Sequence, residues 1–162
     1  MLLIALVVVG SFAAAAPDFV DARTYVPVSS LPGKTKVDRV VVSRVNINLP
    51  IRKGVIGGTV RDGIAYHYPG TSWPGGGSNT YLYAHARAGS FLNLKKMREG
   101  DIVRLHLVTG GWVRYKVIKV KRVRWNDGRW TLLTASEKLT LQTCTGNTKT
   151  ADRLVVRAKP LD

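Results

Sequence analysis

Cysteine is nearly absent from this chain: Cys144 is the only one in 162 residues. One thiol excludes an intramolecular disulfide framework and any cysteine-rich zinc site. It leaves three roles for that residue: spare hydrophobe, reactive thiol or nucleophile. Acids are also scarce, 10 against 25 Lys and Arg, which gives a formal net charge of +15 and a pI near 10.5. They are scattered, with no cluster of hard oxygen ligands, so no metal and no cofactor is expected. Long helical patterns are missing as well. What remains is 45% hydrophobic, enough for a core and too much for a disordered basic tail. The length suits one domain. The cationic excess predicts anionic surroundings (nucleic acid, acidic lipid or wall polymer) without choosing among them.

The one long apolar run is at the amino terminus. Residues 2–16 carry no charge and end in Ala13-Ala14-Ala15-Ala16. That is short for a membrane span, which needs roughly 17–25 residues. It fits the apolar region of an export signal followed by a small-residue cleavage site. Only Met1 precedes it, and the basic residues Arg23, Lys34, Lys36 and Arg39 follow it. A start site placed too late would account for the missing basic leader. The expectation is an exported or membrane-anchored chain, with a signal- or anchor-like segment at 1–16. Residues 17–36, with Pro27, Pro32, Gly33 and Ser29-Ser30, read as a linker. The folded domain is expected over 37–162.

Beyond residue 37 the pattern is one of strands. Stretches 37–42, 45–49, 64–68, 80–84, 101–108, 112–123, 138–143 and 153–158 are short, β-branched and partly alternating. Pro50 is expected to end the second, and Gly110-Gly111 to form a tight hairpin between the fifth and sixth. Only 91–97 reads as helical, for about two turns. Eight closely spaced strands with no long helical crossover predict an all-β fold, a closed antiparallel eight-stranded β-barrel with one or two short helices. Closure also removes exposed strand edges.

Chemistry gathers at strand ends. Cys144 ends the run Leu139-Thr140-Leu141-Gln142-Thr143 and precedes the loop signal Thr145-Gly146-Asn147. That place suits a nucleophile on a rigid scaffold, although a free cysteine is also among the most commonly buried residues. His85 follows the run Tyr81-Leu82-Tyr83-Ala84, and Arg153 opens the last strand. An imidazole beside a thiol supplies acid and base, and a guanidinium offers fixed donors to a developing oxyanion. His67 and His106 read as structural. Trp125, Trp130 and Thr131, before the seventh strand, are candidates for a substrate wall or a cover over a barrel end.

These residues carry a family resemblance. Thr140-Leu141-Gln142-Thr143-Cys144 resembles the TLxTC signature of sortases, the cysteine transpeptidases of bacterial surfaces. Asp152-Arg153-Leu154-Val155-Val156 resembles the strand that opens with their arginine, and Tyr83-Ala84-His85 the strand carrying their histidine. Asn48-Leu49-Pro50-Ile51 is similar to an early I-x-x-P-I element, and Gly100-Asp101-Ile102-Val103 to the turn opening a central strand. Many sortases have glycine where this chain has Ala84. The short stretch 124–137, with Tyr81-Leu82-Tyr83, looks most like class D or E.

The resemblance implies that Cys144 attacks the threonine carbonyl of an LPxTG-like sorting signal and that His85 handles protons. It implies that Arg153 holds substrate backbone and oxyanion, with Thr143 near the substrate. A thiol and an imidazole at their ordinary values, about 8.5 and 6.5, are mostly both neutral near neutral pH. A minority thiolate–imidazolium pair is therefore implied. The implied partners are a sorting-signal peptide, an amine of a peptidoglycan precursor or pilin, and the membrane through the amino-terminal segment. Nucleic acid is not among them. Two rivals fit less well. The L,D-transpeptidases place glycine directly before their cysteine, where this chain has Thr143. A basic OB-like nucleic-acid binder matches the charge but not the export-like amino terminus, and no aromatic stacking stripe is visible.

Overall fold

Along 112–123 apolar and charged side chains alternate, and a period of two is what a strand with one buried face requires. The computed structural model, which describes residues 25–162, has that strand with Val113, Tyr115 and Val117 buried and Lys116 exposed. It is the sixth of eight: β1 (Val37–Val42), β2 (Ile47–Lys53), β3 (Ala65–His67), β4 (Asn79–Tyr83), β5 (Ile102–Leu107), β6 (Trp112–Val123), β7 (Lys138–Cys144) and β8 (Arg153–Pro160). Hydrogen bonding runs β1-β2-β3-β4-β7-β8-β6-β5 and closes on β1, so the sheet has no edge. The expected candidate export or anchor segment, 1–16, lies outside the described residues.

The closed eight-stranded barrel is as expected, but it is not wholly antiparallel. The β2–β3 and β4–β7 seams are parallel. Hydrophobic patterning places a strand in a sheet without fixing the direction of its neighbour, which is why the sequence was silent on these seams. Pro50 does not end β2 but lies within it, opposite Arg39. Pairing with β3 begins only at Ile51, so at Pro50 the strand has β1 alone beside it, and a residue without an N–H is tolerated there. The helical stretch narrows to a 3-10 turn, Leu92–Lys96, seated by buried Phe91 and Leu94.

Between β5 and β6, Gly110 and Gly111 both take positive φ, 94° and 84°, a conformation that side chains with a Cβ adopt at a cost. Part of the stretch read as linker packs on the barrel. Tyr25 bridges Trp112, Val26 N–H donates to the Trp112 carbonyl at 2.8 Å, and Val28 is buried.

The barrel interior is aliphatic: Val40, Ile47, Leu49, Leu82, Leu105, Leu139, Leu141 and Val156 point into it. Tyr115 shares that interior, and its hydroxyl donates to Glu137 Oε1 at 2.9 Å; burial pushes both groups' pKa values up. Outside the core, Asp101 locks two turns together. Arg44, in the β1–β2 turn, donates to both of its carboxylate oxygens, and the Arg98 N–H donates to Oδ2 at 2.9 Å. These donors hold the Asp101 carboxyl below its ordinary value, Arg44 contributing most.

Two outcomes follow from this packing. Leu141→Ala, at a fully buried site on β7, should cost about 2–5 kcal/mol in a urea titration, the usual range for a Leu cavity. Because the folded pKa of Asp101 is depressed, its contribution is complete above the unfolded value near pH 4 and is lost as pH falls through the folded one. Asp101→Asn should therefore lower the Tm at pH 7 and flatten its fall between about pH 4 and 2 relative to the parent. Parallel acid limbs in the two proteins would contradict the assignment.

Candidate active site

The two seams of β7 determine what stands beside Cys144. On one side, parallel pairing sets Tyr83 of β4 against Gln142. The contact continues a step further, where the Ala84 N–H donates to the Gln142 carbonyl at 3.2 Å and Thr143 Oγ1 donates to the Ala84 carbonyl at 2.8 Å. Cys144, the last residue of β7, follows Thr143, and His85, two residues past the end of β4, follows Ala84. On the other side, antiparallel pairing sets Arg153 directly opposite Cys144. Side chains alternate along a strand. Leu139 and Leu141 point into the core, so Thr140, Gln142 and Cys144 face outward, with their register partners Arg157, Val155 and Arg153. His85, Cys144 and Arg153 thus form one row across three strands at one rim of the barrel.

Cys144 is half-buried and opens onto a cleft of about 370 Å³ lined by Ala86, Leu92, Lys95, Asn147 and Leu154. The backbone of His85 is held by the Phe91 N–H at 2.9 Å. Its ring does not reach for the thiol. Nε2 lies 2.9 Å from the Val60 carbonyl, and since a carbonyl only accepts, Nε2 carries the hydrogen and Nδ1 is the free nitrogen of the neutral ring. Val60 belongs to the β2–β3 connection, residues 54–64, which straps across this end of the barrel. Arg87 pairs with Asp62 at 3.1 Å and the Gly63 N–H donates to Ser90 Oγ at 2.7 Å, fastening it to the segment after His85. At the strap's root a Cβ on Gly54 would fall 2.6 Å from the Tyr83 hydroxyl and 2.7 Å from the His67 carbonyl, so only glycine fits.

Arg153 is occupied as well. Its guanidinium donates to the carbonyls of Ala151 and Lys149 in the β7–β8 loop. The barrel therefore brings the three residues together by position, while no hydrogen bond joins their side chains among the described residues.

Thr143, expected near the substrate, is among the residues that line the cleft beside Cys144. It is 3% exposed, and its hydroxyl is spent on the β4 backbone. It braces the two strands and contributes only to the floor of the cleft. Trp130 sits in a 3-10 turn, Gly128–Thr131, where the Arg157 guanidinium lies over its ring at 4.7 Å. Its carbonyl accepts from Asn79 Nδ2 at 2.9 Å and from Arg157 at 3.2 Å.

The large apolar side chains that this loop leaves to solvent are Trp125, Leu132 and Leu133, 51%, 60% and 66% exposed. The two leucines went unnoticed in the sequence, though a Leu-Leu pair in a stretch with no strand or helix pattern was the available signal. Val60 left no signal, because it acts through its backbone. His67 is buried and stacked on Trp73, with burial lowering its pKa, and His106 pairs with Asp38. Both are structural.

The fold has known counterparts. Sortase C of Streptococcus pneumoniae is 31% identical with a TM-score of 0.68, over 78% of this chain and 68% of that one. Sortase C1 of group B Streptococcus pilus island 1 is 30% identical with the same TM-score, over 80% and 66%. A lid mutant of sortase A from Corynebacterium diphtheriae is 25% identical, TM-score 0.68, over 82% and 73%. The likeness to class D or E finds no support in these neighbours. No curated protein matches the chain. The family model of the sortase domain matches residues 40–161, nearly the whole barrel, and the chain belongs to the sortases, the cysteine transpeptidases whose fold it has.

Proposed function

We propose that this sortase cleaves an LPxTG-like sorting signal between Thr and Gly, with Cys144 as nucleophile, His85 as acid and base, and Arg153 as oxyanion donor. The observation that carries the reading is the row of these three residues at one rim, with the thiol open to a cleft. In the minority ion pair, where Nδ1 of His85 already holds the thiol proton, the thiolate Sγ of Cys144 attacks the threonine carbonyl carbon. The carbonyl oxygen gains the negative charge, which suits a guanidinium with five fixed donors. Collapse of this intermediate breaks the C–N bond. The imidazolium gives its proton to the leaving glycine amine, and a thioester remains. An incoming amine of a peptidoglycan precursor or pilin then attacks the thioester, losing a proton to His85, and the thiolate leaves and is reprotonated.

Two rearrangements precede this sequence in our reading. The Arg153 guanidinium turns from the carbonyls of Ala151 and Lys149 toward the cleft, and the His85 ring loosens from Val60 as substrate enters. Trp130, Leu132 and Leu133 supply the apolar wall for the signal. Sortases work outside the cytoplasmic membrane, and residues 2–16 serve here as the export or anchoring segment. No described helix is long and apolar enough to cross a membrane.

Cys144→Ala and His85→Ala should each abolish release of a quenched fluorophore from a peptide with a Thr–Gly bond, with the β-sheet circular dichroism unchanged. Arg153→Ala should lower kcat by about 10²–10³, the usual cost of losing an oxyanion donor, and Arg153→Lys should recover only part of that. Turnover by Cys144→Ala would remove the thiol from the mechanism.

A further inference from the structure

Arg157 lies two places beyond Arg153 on the same outward strand face, a side-chain step of four residues, and is opposite Thr140. It is half-buried, donating through Nε to Thr140 Oγ1 and through Nη2 to the Trp130 carbonyl, both at 3.2 Å. Both acceptors are neutral. Among the described residues no carboxylate stands within ion-pair distance of it, whereas Arg44, Arg87, Arg122 and Arg129 each have one. Burial without a counter-ion pulls its pKa below the ordinary guanidinium value. Charges removed from water are normally paired, so Arg157 lacks the anion its setting calls for.

The surroundings repeat that deficit. Arg157, Trp130, Lys121 and Arg129 line a pocket of about 210 Å³ with no acidic side chain in its wall. Arg129 is neutralised from behind by Asp127, but Lys121, on the adjoining strand β6, has no carboxylate within ion-pair distance among the described residues. The pocket thus presents two uncompensated cations and an indole. Its distance from the thiol follows from the register: Thr140 and Cys144 share one strand face, four residues apart, or about 13 Å at 3.3 Å per residue.

We propose that this pocket is a carboxylate subsite for the donor peptide, taking an acidic side chain at the fifth residue before the scissile bond, the one that precedes the leucine of an LPxTG-like signal. The inference rests on the Thr–Gly cleavage reading and deepens it. An extended peptide advances at the same rise per residue as the strand beneath it. With its threonine carbonyl at Cys144, the residue four places further upstream, the fifth before the bond, comes abreast of Arg157. The upstream half must stay bound through the thioester while the downstream half leaves and an amine enters. That assigns the upstream half to the walled side under the β6–β7 loop, and the open cleft by Lys95 to the exchange of amines.

The test is a set of quenched peptides that keep an intact LPxTG-like signal and carry Glu, Gln or Lys at each position from five to eight residues before the Thr–Gly bond. Affinities of the same peptides for Cys144→Ala protein are measured by fluorescence anisotropy. With native protein, kcat/KM for Glu over Gln should rise about tenfold at one position, the fifth upstream, the size of one charge-assisted hydrogen bond in a partly wet site. The affinity ratio should follow, and both should shrink with added salt. In Lys121→Glu the ratio should collapse at that position, and a Lys peptide should overtake the Glu peptide there. Cleavage of every peptide at equal rate would overturn the subsite and leave the cleavage reading intact. A Glu preference equal at all positions would overturn it too, since the +15 charge alone would suffice. No cleavage of any peptide, with no binding, would overturn both.

Discussion

The parallel seam between β4 and β7 is the contact on which the site depends. Nothing local in the chain brings His85 near Cys144. They become neighbours because two strands 59 residues apart run side by side in the same direction, tied at the rim by the Thr143 hydroxyl on the Ala84 carbonyl. The antiparallel seam with β8 then adds Arg153 opposite the thiol. A slip of one residue in either seam would turn the row's side chains into the barrel. The aliphatic interior, with Leu139 and Leu141 fixed inward between Cys144's own strand neighbours, is what forbids the slip. Core packing and site geometry are thus one constraint.

Around that row the polar groups are satisfied locally. The imidazole rests on a strap carbonyl and the guanidinium on its own loop, so neither is left without a partner in a half-buried setting. Such resting contacts are weak enough to exchange, because a hydrogen bond contributes only about 1 kcal/mol net between neutral groups and about 1.5–3 kcal/mol where one partner is charged, as the guanidinium is. The strap itself hangs from Gly54 and is fastened by Asp62 and Gly63, which makes it the element best placed to register whether the rim is occupied.

Much of this was readable from residues alone. The strands showed because β-branched residues alternate between short Gly and Pro breaks, and β6 emerged with the same ends that its alternation marks. Cys144, His85 and Arg153 stood out because each closes or opens a strand-like run. Strand direction was not readable, since a buried strand has the same composition beside either kind of neighbour. Pro50 misled for a related reason: whether a missing N–H matters depends on which side is paired. The side-chain orientations at the rim and the carbonyl of Val60 were beyond reach, as backbone acceptors leave no trace in residue type. Thr143 was placed correctly in the chain, but its inward face could be known only from the alternation set by Leu139 and Leu141.

The order in which the parts of the site come together has a consequence for how the protein matures. The β4–β7 seam joins residues 59 positions apart along the chain, and pairings of that kind form late, after the entropy of closing large loops has been overcome. The sulfur lies at the end of that seam, and β8, which sets Arg153 opposite it, follows it in the chain. A chain emerging from a translocation pore amino end first would carry an unassembled, chemically ordinary thiol until β8 too had crossed. With no second cysteine to capture it, that thiol has no internal disulfide trap during the wait, and reactivity would switch on only when the cylinder closes.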